Sequence, residues 1–448
     1  MKKTIFWLVI IIFTLSLTLI GTGCKEEAAP AEEVTEEVTE EEAAPPEEEA
    51  EEAVAEEEAI EPVTITFWHT YNVESNEYVT LTDVVIPRFE DENPNITVVE
   101  QQIPYEEFHT KLVTGIAGGV VPDVVRMDII WVPEFAEMGA LASVDNYDSF
   151  SSIAEQVFPG PLDTCKWGDN YYGVPLTTNT ELIFWNRAMF EEAGIGGPPT
   201  TWDEFADDAE RLTKPGETWG LAISDCSPWN FLPFIWSGGG SVTDEDITTA
   251  TGYINSEDSV NAVQFIVDLF NDGYIADTII GGGIGMQDGY ANNVYGMFKG
   301  GPWFYGMIGG QFPDAEINTA LMPTGKGGSI SVIGGEDLVI FDGSANKDAA
   351  FRFVEFMVSE EIQLIFAETG QIPVLNTIAE SDYIKNHEFY PIFMEQLKTA
   401  KARTVHPGWQ EMDAAIKLGI EEAINGVKTV QEALDGVASE INTIIEKY

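Results

Sequence analysis

The sequence predicts an α/β protein of two domains, with mostly parallel sheets and a helical C-terminal region. Three observations carry this. The chain has 448 residues, too many for one ordinary core. From Val63 onward, β-branched and aromatic runs alternate with helical-period segments at the spacing of βαβ units. From about Tyr383 to the end the pattern is largely helical.

The elements follow in order. Val63-Thr64-Ile65-Thr66-Phe67-Trp68 alternates and is β-branched, a strand. Helical periodicity over 77–92 ends before Asn93-Pro94-Asn95. Ile96-Thr97-Val98-Val99-Glu100 is a second strand, 106–117 a helix closed by Gly118-Gly119, and Val124-Val125-Arg126-Met127 a third strand. Thr201-Trp202-Asp203-Glu204 has the form of a capping box and opens a helix to about Leu212. A strand is expected at 219–223 and an apolar-faced helix at 260–270, stopped by Asn271-Asp272-Gly273. Ala349, Ala350, Phe353, Val354 and Met357 recur at helical spacing and mark a helix over 348–358. Residues 63–178 are expected to form the first part of one lobe and 179–345 mainly the second. Residues 346–448 complete both with helices. Right-handed crossovers place helices on both sheet faces, and ligands bind beyond the carboxyl ends of such strands.

The net charge is −56. Residues 25–62 hold eighteen Glu and one Lys, a charge of −17, and residues 1–24 carry +2, which leaves −41 on 63–448. An acidic field of this size repels nucleic acid and anionic lipid surfaces, whereas a neutral ligand feels no net pull. The three cysteines, Cys24, Cys165 and Cys226, have no C-x-x-C spacing, and the four His are scattered. Neither a metal site nor a cofactor is implied. Cys165 and Cys226 either pair as an extracytoplasmic disulfide or stand as two buried thiols.

The first 23 residues read as an address. Lys2-Lys3 precede an apolar run from Ile5 to Ile20, followed by Gly21-Thr22-Gly23-Cys24. The run is sixteen residues, short of the ~20 a membrane span needs. The small residues before Cys24 resemble a bacterial lipobox, departing from it at Gly21 where Leu is usual. That resemblance implies a lipid on Cys24 and an extracytoplasmic, membrane-anchored protein. Residues 24–62 lack any aromatic residue and are rich in Glu, Ala, Val, Thr and Pro. Such a segment buries too little apolar surface to offset chain entropy, so a disordered, charge-extended tether is expected.

Eleven Trp and fourteen Tyr are present, several of them where an element ends. Trp68 closes the first strand, Trp131 follows Asp128-Ile129-Ile130, Trp229 and Trp236 lie within 228–240, and Trp303 follows Gly300-Gly301-Pro302. Rings beside glycine-rich turns suit a flat ligand with an apolar face and polar edges. A pyranose is one: its C–H face packs on an indole and its hydroxyls both donate and accept. Asp128, Asn179, Glu181, Glu336 and Arg403 lie near predicted strand or loop ends and suit the edges of such a site.

Several segments recur in a distinctive order: Ile65-Thr66-Phe67-Trp68; Gly118-Gly119-Val120-Val121-Pro122-Asp123-Val124; Tyr172-Gly173-Val174-Pro175 with Leu182-Ile183-Phe184-Trp185-Asn186; Thr201-Trp202-Asp203-Glu204-Phe205; Gly300-Gly301-Pro302-Trp303; Met322-Pro323; and Gly334-Gly335-Glu336. Over nearly all of 63–448 they resemble the family 1 extracellular solute-binding proteins of ABC transporters, the maltose-binding-protein-like group. The resemblance implies a type II periplasmic-binding-protein fold, with lobes joined by hinge strands. It also implies a monomer that captures a mono- or oligosaccharide and delivers it to a membrane permease. By position, Trp68 and His69 line the cleft from the first lobe, and Asp128 accepts from hydroxyls. Asn179 and Glu181 sit near the hinge, and Trp236 and Trp303 stack on the sugar. Gly334 and Gly335 let backbone amides approach beside Glu336, and Arg403 donates to sugar oxygens. No nucleophile motif or metal spacing accompanies these carboxylates, so a binding role is expected and not an enzyme. The competing readings are a non-sugar solute in the same fold and a carbohydrate-active enzyme using Asp128 and Glu181.

Overall fold

A computed structural model describes residues 61–448. The expected leader, the expected lipid site at Cys24 and nearly all of the expected tether therefore lie outside the described residues.

The opening alternation forms the predicted strand β1 (Val63–His69), which runs parallel to β2 (Ile96–Gln102) and to β3 (Val124–Asp128). The helix between β1 and β2 is one continuous run over 76–92, with a π-helical turn at Leu81–Val85 in its middle. Helix Tyr105–Gly118 connects β2 to β3 and stops at Gly119, whose φ of 68° is in the left-handed region that glycine tolerates. The chain continues through β4 (Gly173–Asn179), β5 (Leu182–Trp185), β6 (Trp219–Ala222), β7 (Tyr295–Gly300) and β8 (Thr319–Ala320) to β9 (Gly334–Ile340) and β10 (Ile372–Pro373). Among the described residues these strands form two sheets, ordered β10-β4-β9-β3-β1-β2 and β8-β5-β7-β6, beside a small two-stranded hairpin of Lys166–Trp167 and Asn170–Tyr171.

The sheets are mixed, which corrects the expectation of mostly parallel ones. Among these ten strands only the β1–β2, β1–β3 and β6–β7 pairings are parallel. β9 runs antiparallel to β3 and β4, and β5 runs antiparallel to β7 and β8. The physical cause is the crossing of the chain. β4 leaves the first sheet and feeds β5 of the second within two residues, and β9 enters the first sheet from the second. A strand that carries the chain between sheets has its direction set by that passage and not by a helical crossover.

Period-two alternation divides each sheet's residues between two cores. In the first sheet, Ile65, Phe67, Leu176 and Leu338 pack with Phe351, Phe353 and Met357 on one face. Val125, Met127 and Val339 pack with Phe108, Leu112 and Phe135 on the other. In the second sheet, Leu182 and Phe184 join Phe298, Tyr290 and Phe393. Ile183 between them faces the opposite core with Phe205, Trp236, Ile266 and the C-terminal helices Trp409–Ile424 and Val430–Lys447. Each fully buried Phe or Leu contributes about 1.5–3 kcal/mol.

Three chain segments run side by side where the sheets meet. Ser331 Oγ donates to Glu181 O (2.8 Å) and accepts from Glu181 N (3.2 Å). Lys401 N donates to Ser331 O and Ile333 N donates to Lys401 O, both at 2.8 Å. Two of these segments, at 180–181 and 331–333, carry the chain from one sheet to the other, and a few such positions can absorb a rotation of one lobe against the other. Cys165 and Cys226 are separate buried thiols. Among the described residues no helix is long and apolar enough to cross a membrane.

Candidate functional site

Strand direction decides where polar residues gather. β1, β3 and β4 present their carboxyl ends at the junction between the sheets, and β9, running the other way, presents its amino end there. Glu336 is therefore opposite Asp128, and Gly334 opposite Asn179. Residues remote in sequence converge at one edge of the first sheet.

The first part of the cluster surrounds Arg126, a lone cation in an apolar strand. Its Nη2 is 2.8 Å from Glu336 Oε2, its Nη1 donates to Thr70 Oγ1 at 2.9 Å, and its guanidinium lies 4.2 Å over the Tyr71 ring. Thr177 Oγ1 also donates to Glu336 Oε2 (2.7 Å). Burial pushes the Tyr71 phenol up to about 12, with Arg126 opposing. Burial likewise raises the Glu77 carboxyl, which accepts from Gln371 Nε2 at 3.1 Å.

The second part centres on Asp128. Its Oδ1 caps the turn by accepting from Ile130 N (3.1 Å) and accepts from Arg403 Nη2 (3.3 Å), while its Oδ2 accepts from Tyr105 Oη (2.8 Å). Burial raises nearby Asp413 to about 6, with Arg403 opposing and Asp128 reinforcing. Arg403 lies 5.0 Å over the Trp229 ring, and Trp229 lies 6.1 Å from Trp303. Tyr105 stacks on Trp131 at 5.4 Å, and Trp131 Nε1 donates to Gln410 Oε1 (3.0 Å) on the first C-terminal helix.

Three buried polar atoms in this region have no hydrogen-bond partner in the protein: Arg126 Nε, Asn179 Oδ1 and Arg403 Nε. Each such atom costs roughly 1–3 kcal/mol. Donors and acceptors are both represented, so the set matches a ligand that can accept and donate, bordered by half-buried indoles.

Of the residues singled out in the sequence, Asp128, Asn179, Trp303, Gly334, Glu336 and Arg403 come together here, with Gly335 in the strand beneath. The two glycines are explained by protein neighbours. A Cβ on Gly334 would stand 2.2 Å from Asn179 Oδ1 and 2.6 Å from the Trp229 ring, and Gly335 has φ 146° with Thr177 O 2.3 Å from its would-be Cβ. Four residues lie elsewhere. Trp68 is half-buried against helix Tyr105–Gly118 beneath Lys111 Nζ (4.7 Å). His69 is corrected to a core residue. It is fully buried, its Nδ1 accepts from Tyr71 N, and its Nε2 consequently carries the proton donated to Glu100 Oε2 (2.9 Å). Burial lowers its pKa to about 4 against the opposing carboxylate. Glu181 lies at the hinge as expected, but its buried carboxylate contacts Lys299 Nζ and does not face the cluster. Trp236 is corrected to the second lobe's core. It shares helix Pro228–Ser237 with Trp229, but seven residues at ~1.5 Å each carry it about 10 Å further along the axis.

Tyr71, Tyr105 and Arg126 were not singled out, and Trp229 was noted beside Trp236 without being assigned to the site. Arg126 had a readable signal, since an arginine inside a buried strand demands a partner. Trp229, at the start of a helix, is indistinguishable by pattern from Trp236.

Two lobes joined by adjacent crossing segments, with a polar and aromatic cluster at their junction, define a two-lobed binding protein. Residues 72–364 match the family described as bacterial extracellular solute-binding protein. The chain belongs to that family. It is similar to the maltotriose-binding protein of Pyrococcus abyssi (strain GE5 / Orsay), 24% identical over 396 residues, covering 86% of this chain and 80% of the relative. Its fold is similar to the GacH receptor of Streptomyces glaucescens, solved unliganded and in complex with acarbose. That match has a TM-score of 0.79 and 25% identity, and covers 86% of this chain and 99% of the receptor. An ABC transporter solute-binding protein of Thermotoga lettingae bound with α-D-tagatose matches with a TM-score of 0.77 and 27% identity, covering 85% and 99% of the two chains.

Proposed function

We propose that this chain is the sugar-capturing component of an ABC import system, held outside the cytoplasm by a lipid on Cys24 and acting as a monomer. The observation that carries the sugar reading is the junction cluster: indoles Trp229 and Trp303 beside two arginine–carboxylate pairs, with unpartnered buried donors and an acceptor around them. The ligands named for the similar proteins, maltotriose, acarbose and tagatose, support it.

In this reading the sugar's C–H face lies on the indoles. Its hydroxyls accept from Arg403 and Arg126 and donate to Asp128, Glu336 and Asn179. Groups from both lobes meet the sugar only when the lobes close, so binding shifts the population toward the closed form by its differential affinity. A shift from 1:99 to 99:1 requires roughly 5.5 kcal/mol of preference. A wrong sugar leaves buried polar groups unpaired and is rejected on that account. The closed form then engages the permease while the tether keeps it near the membrane.

Calorimetric titration of the soluble domain with neutral mono- and oligosaccharides tests this. Saturable binding to at least one sugar, weakened about tenfold or more in Trp303→Ala, is expected. Equal affinity in the variant places the sugar elsewhere. For the anchor, Cys24→Ser should release the chain from membranes into the soluble fraction.

A further inference from the structure

The hinge and the indole pair share one buried cation. Lys299 is the next-to-last residue of β7 and is fully buried. Its Nζ contacts Glu181, the residue that carries the chain from β4 to β5. The same Nζ donates to the backbone carbonyl of Trp229 at 3.2 Å. Lys299 also stands four residues before Trp303, whose ring folds back so closely over Gly301 that a Cβ there would be 2.1 Å from it. One ammonium thus touches the first crossing segment and the start of the helix that carries Trp229, and its own strand runs on into the turn that carries Trp303.

We infer that Lys299 is a positioning residue, holding the two indoles at their mutual spacing and tying that spacing to the hinge. The inference rests on the reading of the indoles as the sugar platform. Its physical basis is economy of structure. Taking an ion pair out of water costs about as much as the pair returns, so an apolar pair of similar volume would hold the fold as well. An apolar side chain cannot donate to the Trp229 carbonyl, however, and that carbonyl lacks its helical partner because residue 233 is a proline without an N–H, so Lys299 supplies the donor that holds the helix start in place. Burial pushes the Lys299 amine well below the usual lysine range. Either charge state retains N–H donors for both partners.

The test separates positioning from stability. Lys299→Met alone leaves Glu181 buried without a partner and should lower the thermal midpoint. Lys299→Met/Glu181→Gln removes the charge from both sides and should return the midpoint toward that of the native protein. With 5-fluorotryptophan incorporated, the 19F line of Trp229, assigned with Trp229→Phe, is expected to broaden or split in the double variant, and sugar affinity should fall about tenfold or more. Lys299→Arg provides a second probe. It keeps the charge against Glu181 while its planar fork shifts the donors away from the carbonyl, so the same broadening is expected. A sharp, unshifted Trp229 line in whichever of these variants folds overturns the inference. If the native protein binds no sugar in the panel, the sugar reading fails, while the fluorine line still decides whether Lys299 positions Trp229.

Discussion

Arg403 Nη2 lies 3.3 Å from Asp128 Oδ1, so a guanidinium from the segment leading into the C-terminal helices closes on a carboxylate at the end of β3. The two side chains are 6% and 14% exposed. A pair this enclosed is not a surface salt bridge of negligible worth, because its charges interact through a medium that screens less than water. Asp128 also fixes Tyr105 and caps its own turn, so it organises three segments at once.

Asp128→Asn keeps an oxygen for Ile130 N but removes the charge facing Arg403. The buried guanidinium then lacks its counterion. Sugar affinity should fall about 10- to 100-fold, and unfolding stability by about 1–3 kcal/mol. Calorimetric titration and urea denaturation measure the two separately. Unchanged affinity alongside reduced stability would make the pair a structural clasp only.

Gly334→Ala tests the close approach of Trp229. The new Cβ would meet Asn179 Oδ1 at 2.2 Å and the indole at 2.6 Å, so one of them moves. Overpacking of this kind costs about 1–3 kcal/mol. Displacement of the indole predicts a loss of sugar affinity as well as stability. Trp229→Ala should lower affinity about tenfold or more with a smaller effect on folding, since this indole is only half-buried.

The parts legible in the sequence were those written in local periodicity. β1 to β3 and the helices between them declare themselves through alternation and 3.6-residue spacing. The opening helix nonetheless contains a π turn at Leu81–Val85 that no pattern announces. The Thr201–Glu204 motif caps its helix through Thr201 Oγ1, but Glu204 turns back to Thr200 and not to Thr201. The complete reciprocal box is at Thr429 and Glu432. Strand direction was illegible because it depends on where the chain passes between sheets, a non-local matter. The site was half legible for the same reason. Asp128, Glu336 and Arg403 stand at element ends, where polar residues have reason to be. His69 and Glu181 also stand there, yet their partners Glu100 and Lys299 are distant in sequence and convert them into buried, internally satisfied groups.

Asp337 carries the pH prediction. It is fully buried beneath the cluster, accepts from Thr164 Oγ1 at 3.1 Å, and is raised to about 8. Burial is the main cause, opposed by Cys165 and Thr164 and reinforced by Asp128 and Glu336. Its folded pKa exceeds the unfolded value of 3.8, so the folded state holds the proton more tightly. The resulting stability is fully present below about pH 3.8 and is lost as pH rises through 8. His69 acts in the opposite sense. Its folded pKa of about 4 lies below 6.5, so its stabilising contribution is present above pH 6.5 and is lost as pH falls through 4. Between pH 4 and 6.5 the two slopes, each about 1.4 kcal/mol per pH unit at full strength, largely offset. Above pH 6.5 only the Asp337 slope of the two remains, so the Asp337 contribution should decline by on the order of 2 kcal/mol from there to pH 8. Asp337→Asn keeps an oxygen for Thr164 but cannot ionise. From pH 6.5 to 8 the urea midpoints of the native protein should fall relative to those of this variant. Parallel declines in both proteins would mean that Asp337 is already ionised in the folded state.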